Sequence, residues 1–253
     1  MSLIGIGDVF SRGLSVLISR ITPVAGVRLV VVLATLALSS WGLSGLMDNL
    51  RAVATEGAPV SPETLGDVLN TLPREQMVDV VLSLKFWLSV FLNLALFLWG
   101  QGAVYLALYP HPNNPSAGEP RALPAIALGA IGLILPLTLV NIFYGVLVLI
   151  GTVLLVIPGI WLAVKYSFAP LLLVTEDASA FSSFGRSSDL VKGCWWGVFI
   201  RLVLVGLATL IASVLVGLIP VIGRVIAGVL LAPFLNSCQL VILENLQEIK
   251  GKA

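Results

Sequence analysis

Three basic side chains fall inside long apolar stretches of the sequence: Lys85, Lys165 and Arg201. A charge at mid-bilayer costs roughly 2.5–3.5 kcal/mol on insertion scales, so a cation kept there either snorkels to an interface or faces a polar partner. The chemistry open to such a cation is recognition of an anion. Lys85 stands near the outer end of its stretch and Arg201 shortly after Trp196, both within snorkelling reach. Lys165 lies deeper, between Pro158 and Thr175. Its side chain leans toward the N-terminus of its helix, which makes it the first residue to examine for a ligand. The neutral polar residues Asn141 and Tyr144 are secondary ligand-binding candidates, and with Asn93 and Asn236 they also suit cross-links between helices.

The inventory leaves little for catalysis. The single histidine, His111, sits in a Pro/Asn-rich loop, so paired-histidine zinc ligation and the HExxH arrangement are excluded. No GxSxG serine accompanies it. No Asp or Glu lies deep in an apolar stretch, which removes both aspartyl catalysis and the carboxylate relay of a proton pump. Cys194 and Cys238 are far apart and read as small apolar packing residues rather than a disulfide or metal pair. The expectation is a protein that is not an enzyme, with no metal and no cofactor.

These residues are positioned by an unusual chain. Of its 253 residues 58% are apolar and 11% charged, with a net charge of +1, and the mean hydropathy is +1.05. A soluble domain carries about 25% charged residues, and no basic excess is present to bind nucleic acid. The apolar residues come in runs of the length that crosses a bilayer, about 20 residues. The fold class expected is all-α, a polytopic integral membrane protein of six transmembrane helices with amphipathic interfacial helices.

Residues 1–22 read as an amphipathic helix, with Leu3, Ile6, Phe10, Leu14, Leu17 and Ile21 on one stripe. It either lies in the interface plane or packs on the protein's own surface, and Asp8 and Arg12 argue against a cleaved signal peptide. Pro23 is expected to end it. A single six-span domain then covers 23–249, followed by a polar tail at 250–253. Spans are expected from about Arg28 to Met47, Val80 to Leu108, two within Ala122–Val174 joined by a hairpin at Pro158-Gly159, Trp195 to Leu218, and Val225 to Val241. Pro136 is expected to kink the third or to separate a shallow first part from the deeper span. The loop 48–79 is acidic and contains a short amphipathic helix begun by Ser61-Pro62-Glu63. A surface helix at 177–192 is capped by Asp177 and closed by Gly193.

Basic residues set the orientation. With both termini cytoplasmic, Arg12, Arg20, Arg28, Arg121, Arg186, Lys192, Lys250 and Lys252 are inside, and the acidic loop faces outward. Trp161, Trp195, Trp196, Arg186 and Lys192 are the expected interfacial anchors. This places the chain in the cell's inner or plasma membrane, with membrane lipids as partners alongside other membrane proteins or a second copy of itself.

The stretch Ile157-Pro158-Gly159-Ile160-Trp161-Leu162-Ala163-Val164-Lys165-Tyr166-Ser167-Phe168-Ala169-Pro170, followed by Arg186-Ser187-Ser188-Asp189-Leu190-Val191-Lys192-Gly193 and Trp196, resembles the glycerophosphoryl diester phosphodiesterase membrane-domain-like proteins. The resemblance is strongest over residues 155–200. It implies a stand-alone membrane module without the catalytic domain, whose metal-ligand histidines and carboxylates have no counterpart here. Two functions remain open: a non-enzymatic module that organises the envelope or binds lipid or protein, and a transporter or flippase-like carrier for an anionic or amphiphilic small molecule.

Overall fold

The computed structural model describes residues 3–44, 78–79, 82–109, 122–176, 178–219 and 222–251, and these are helical with no strand among them. The helices are α1 (Ile6–Ser19), α2 (Ile21–Gly42), α3 (Leu84–Leu108), α4 (Leu123–Leu154), α5 (Val156–Tyr166), α6 (Ala169–Thr175), α7 (Ala180–Val191), α8 (Trp195–Gly217), α9 (Ile222–Ile226), a π-helical segment Ala227–Leu231, and α10 (Ala232–Gly251). The short helix after Ser61, the loop around His111, the Asp177 cap and the turn at Pro220 lie outside the described residues.

Six stretches are long and apolar enough to cross a bilayer: Ile21–Gly42, Leu84–Leu108, Leu123–Leu154, Val156–Thr175, Trp195–Gly217 and Ala227–Gly251. Only 11% of the most apolar window of α4 and of α8 is buried within the protein. A water-soluble bundle turns its apolar stripe inward, whereas these helices present Leu135, Leu149, Val153 and Leu210 outward. Lipid is the solvent that covers them, so the chain is an all-α polytopic membrane protein.

Helix boundaries follow one rule. A proline ring clashes with the carbonyl four residues earlier but is tolerated in a first turn. Accordingly α1 ends at Ser19, four before Pro23; α4 ends at Leu154, four before Pro158; and α5 ends at Tyr166, four before Pro170. Each proline then sits in the first turn of the next helix. Three expectations are corrected by this: the first span starts at Ile21 rather than Arg28, the hairpin turns at extended Leu155 rather than Pro158-Gly159, and the fourth span is two helices joined at Ser167–Phe168. The π-helical segment widens the helix just before Pro233. Pro136 is the exception, because α4 runs unbroken through it.

The chain divides into two compact units, Leu33–Phe97 and the remainder. In the smaller, the end of α2 meets α3 so closely that a Cβ on Gly42 would collide with Ser89 Oγ. Lys85 occupies the first turn of α3, stands 5.4 Å over the Trp41 ring and donates to Ser44 Oγ, an anchored surface lysine.

In the larger unit, α4 and α5 form an antiparallel hairpin at glycine-to-glycine distance, where a Cβ on Gly151 would meet Gly159 Cα at 2.9 Å. Tyr144 O–H donates to the carbonyl of Ala163 across it, at 3.2 Å. All seven residues of α6 are buried. Helix α1 packs along α10 through Val9, Gly13 and Leu17, a line displaced from the expected stripe, with Phe10 stacked on Phe234 and Leu14 and Ile18 left exposed. The last helix continues to Gly251, so the first two residues of the expected tail are helical.

Candidate functional site

Lys165 is the penultimate residue of α5 and stands midway along the Val156–Thr175 stretch, at the break that Pro170 imposes after Tyr166. Its own carbonyl, one of the unpaired acceptors of a helix end, receives Ser187 Oγ of α7 at 2.8 Å. Helix α7 approaches this closely because its inward face is serine: Ser183 and Ser187 are fully buried. Ser179 caps α7, accepting the Ser182 N–H at 3.3 Å. Gly193 ends the helix with φ +85, the left-handed conformation that favours glycine.

The turn after α7 closes a pocket with a cavity volume of about 390 Å³, lined by Trp161 and Lys165 of α5, Ser188, Asp189 and Val191 of α7, Lys192, Gly193, and Trp195 at the start of α8. Lys165 Nζ stands 4.6 Å over the Trp161 ring and 5.1 Å over Tyr166. Cation–π contact holds an ammonium without neutralising it. The one ion pair among the described residues is Arg186 with Glu176, so Lys165 has no carboxylate at ion-pair distance. Trp195 Nε1 donates to the Trp161 carbonyl at 3.3 Å and fixes the pocket wall, while Trp195 stacks on Phe199 and meets Trp196 edge-on. The N-cap residue of α8, Cys194, makes no side-chain cap bond. The first-turn N–H groups of this 23-residue helix therefore bring partial positive charge to the pocket edge. Two lysines, a helix N-terminus and two indoles make a place for an anionic group on an apolar body.

The remaining candidates are elsewhere. Arg201 of α8 directs its guanidinium at backbone: Nε to the Ile4 carbonyl at 2.9 Å, Nη2 to Leu3 at 3.0 Å and also to Ile4, and Nη1 to Gly197 at 2.9 Å. The Ile4 N–H in turn reaches Asn245 Oδ1 at 3.2 Å. Arg201 thus fastens the segment preceding α1. Arg186 binds Glu176 through Nε at 3.1 Å, which raises its already high pKa, and Glu176 also accepts from Gln247 of α10 at 2.9 Å. Lys250 donates to the Lys192 carbonyl at 2.9 Å. The segment before α1, α7 and the end of α10, which the charge distribution assigned to one side, therefore meet at one end of this unit. Asn141 and Tyr144 stay on α4 and do not line the pocket.

Arg28 was missed as an intramembrane cation. Because α2 begins at Ile21, Arg28 is inside the first span, and its buried Nε has no hydrogen-bond partner. The signal was in the sequence: Pro23 placed in a first turn moves the whole span upstream.

Comparison with known proteins corrects the family resemblance. The family model that matches, over residues 122–244, is a domain of unknown function (DUF7847), not the glycerophosphoryl diester phosphodiesterase membrane domain. A UPF0259 membrane protein of Pectobacterium carotovorum is 28% identical over 159 residues, covering 60% of this chain and 59% of that protein. Another, from Sodalis glossinidius, is 41% identical over 71 residues, 26% of this chain and 28% of its relative. The chain thus spans less than two thirds of the length of either relative. No solved structure matches. The chain is similar to membrane proteins of an uncharacterised family, and the matched region contains the whole Lys165 pocket.

Proposed function

We propose that this non-enzymatic integral membrane protein binds the anionic headgroup of a membrane amphiphile between α5, α7 and α8, and serves as a lipid-interacting module of the envelope. The supporting observation is the pairing of Lys165 and Lys192 with the open α8 N-terminus inside a tryptophan-walled pocket. Asp189 is the single carboxylate in the lining, against two lysines. Indole rings suit the headgroup level of a bilayer.

Purified full-length chain in maltoside micelles gives the test. Dioleoyl phosphatidylglycerol should slow acetylation of Lys165 and Lys192, resolved by mass spectrometry, and leave Lys85 unaffected. Dioleoyl phosphatidylcholine should protect neither. Charge-assisted hydrogen bonds contribute about 1.5–3 kcal/mol each, so Lys165→Gln with Lys192→Gln should weaken phosphatidylglycerol binding about tenfold or more. Equal protection by both lipids overturns the reading.

The same reading places the chain in the inner or plasma membrane with both termini cytoplasmic, supported by the gathering of Lys192, Arg186 and Lys250 at one end. In a Cys194→Ala, Cys238→Ala background, a cysteine at Thr55 should react with a membrane-impermeant maleimide on intact cells. One at Ser182, exposed on α7, should react only after permeabilisation. The opposite pattern reverses the orientation.

A further inference from the structure

A second polar constellation sits on α2, α3 and α4, away from the Lys165 pocket, and its chemistry fixes the direction of each hydrogen bond. Asn141 Nδ2 donates to the Leu137 carbonyl at 2.8 Å. A carbonyl only accepts, so the NH₂ of the Asn141 amide must be on that side. Its second hydrogen goes to Gln101 Oε1 on α3, at 3.1 Å. Gln101 therefore turns its own NH₂ the other way, where Nε2 donates to the Tyr105 hydroxyl oxygen at 3.2 Å. Tyr105 is an acceptor in this bond and keeps its O–H proton to give. No described residue accepts it, although the side chain is only 4% exposed.

Helices α2 and α3 approach closely beside these residues, where a Cβ on Gly100 would stand 2.7 Å from Val31 Cγ2, and Arg28 of α2 lies within electrostatic reach of Tyr105. Its Nε–H is buried and makes no hydrogen bond, and no carboxylate among the described residues is at ion-pair distance. The buried neighbours on its own helix, Val24, Val27 and Val31, accept nothing. A relay whose donors all point one way thus ends in two unmatched donors, one of them cationic. The Arg28 side chain is only half-buried, so its outer guanidinium nitrogens stay open to a ligand while Nε is sealed off. What the pair lacks is an acceptor, and the acceptor that also answers the charge is an oxyanion.

We propose that Arg28 and Tyr105 form a binding site for a phosphate oxyanion, polarised by the Gln101–Asn141 relay. Arg28 is about 10 Å along the helix axis from Ile21, and its side chain leans back toward that end. The site is therefore within reach of a lipid phosphodiester or of a free phosphate entering from that face. It shares no residue with the Lys165 pocket.

The test uses full-length chain in maltoside micelles carrying Lys165→Gln and Lys192→Gln, so that the cations of the pocket are absent. Dioleoyl phosphatidylglycerol is titrated in one arm, read by native mass spectrometry. Inorganic phosphate is titrated in the other, read by thermal unfolding. Saturable binding is expected in at least one arm, weakened about tenfold or more by Arg28→Gln and about threefold by Tyr105→Phe. Loss in the lipid arm assigns the phosphodiester, and loss in the phosphate arm assigns the free anion. Absence of saturable binding in both arms, or affinities that neither substitution changes, overturns the proposal. Tyr105→Phe keeps the ring and its packing, so it decides the matter alone if Arg28→Gln does not fold. Because the lysine-protection experiment reads the other pocket residue by residue, either proposal can fail without the other.

Discussion

Replacing Arg201 by methionine is expected to lower the thermal unfolding midpoint of the detergent-solubilised chain by about 5–10 °C. Methionine keeps an apolar stem of similar length and removes only the guanidinium. What is lost is a fan of charge-assisted hydrogen bonds to the carbonyls of Leu3, Ile4 and Gly197. Such bonds contribute about 1.5–3 kcal/mol each, and they are not additive because one group makes them all, so a total near 3 kcal/mol is expected. The Leu3 and Ile4 carbonyls would be left partly buried with that donor gone. The effect should be felt first at the front of the chain, since Ile4 is otherwise held by its N–H bond to Asn245 Oδ1. Limited proteolysis should accordingly cut ahead of α1 in the variant before any span opens. An unchanged midpoint with an unchanged cleavage pattern would show that the clamp contributes nothing.

Gly159→Ala should destabilise the α4–α5 hairpin by about 1–3 kcal/mol, the usual cost of overpacking. In a helix Ala is normally better than Gly by about 1 kcal/mol, so the sign is the informative part. A Cβ at Gly159 would stand 2.7 Å from Thr152 N and 2.8 Å from Thr152 Cα. These are backbone atoms, and the hairpin relieves the clash only by parting the two helices. Parting them also stretches the Tyr144 bond to the Ala163 carbonyl and shifts α5, which carries Lys165. Gly206→Ala is the internal comparison, because nothing lies within 4 Å of a Cβ there. It should be neutral or slightly stabilising in the same unfolding measurement. If Gly159→Ala and Gly206→Ala behave alike, the close glycine crossing is not what holds the hairpin.

Much of the architecture was legible because a bilayer is a demanding solvent. Apolar runs of spanning length, Trp195-Trp196 at the start of the fifth span, and Gly193 past the end of α7 each carry their meaning locally, and the structure places them as expected. Boundaries at prolines were legible only in part. The break was expected at Pro23 and Pro158, but the clash is with the carbonyl four residues upstream, so Ser19 and Leu154 end their helices instead. That displacement is small along the chain and large in meaning: it moves Arg28 into the first span, and the same rule at Pro170 moves Lys165 to the end of a helix.

By itself the sequence determined the solvent, the helical class and the number of spans, since each depends on composition or on neighbours within a few turns. It also singled out Lys165, which stands midway along the Val156–Thr175 stretch. Tertiary structure alone decided what each cation faces. Lys165 gains Lys192, two indoles and a helix N-terminus, Arg201 gains the carbonyls of residues nearly 200 positions away, and Arg28 gains Tyr105 and an unanswered donor. The physical reason is that a charge in a low-dielectric medium takes its role from the groups packed around it. Those groups come from helices far apart in the chain.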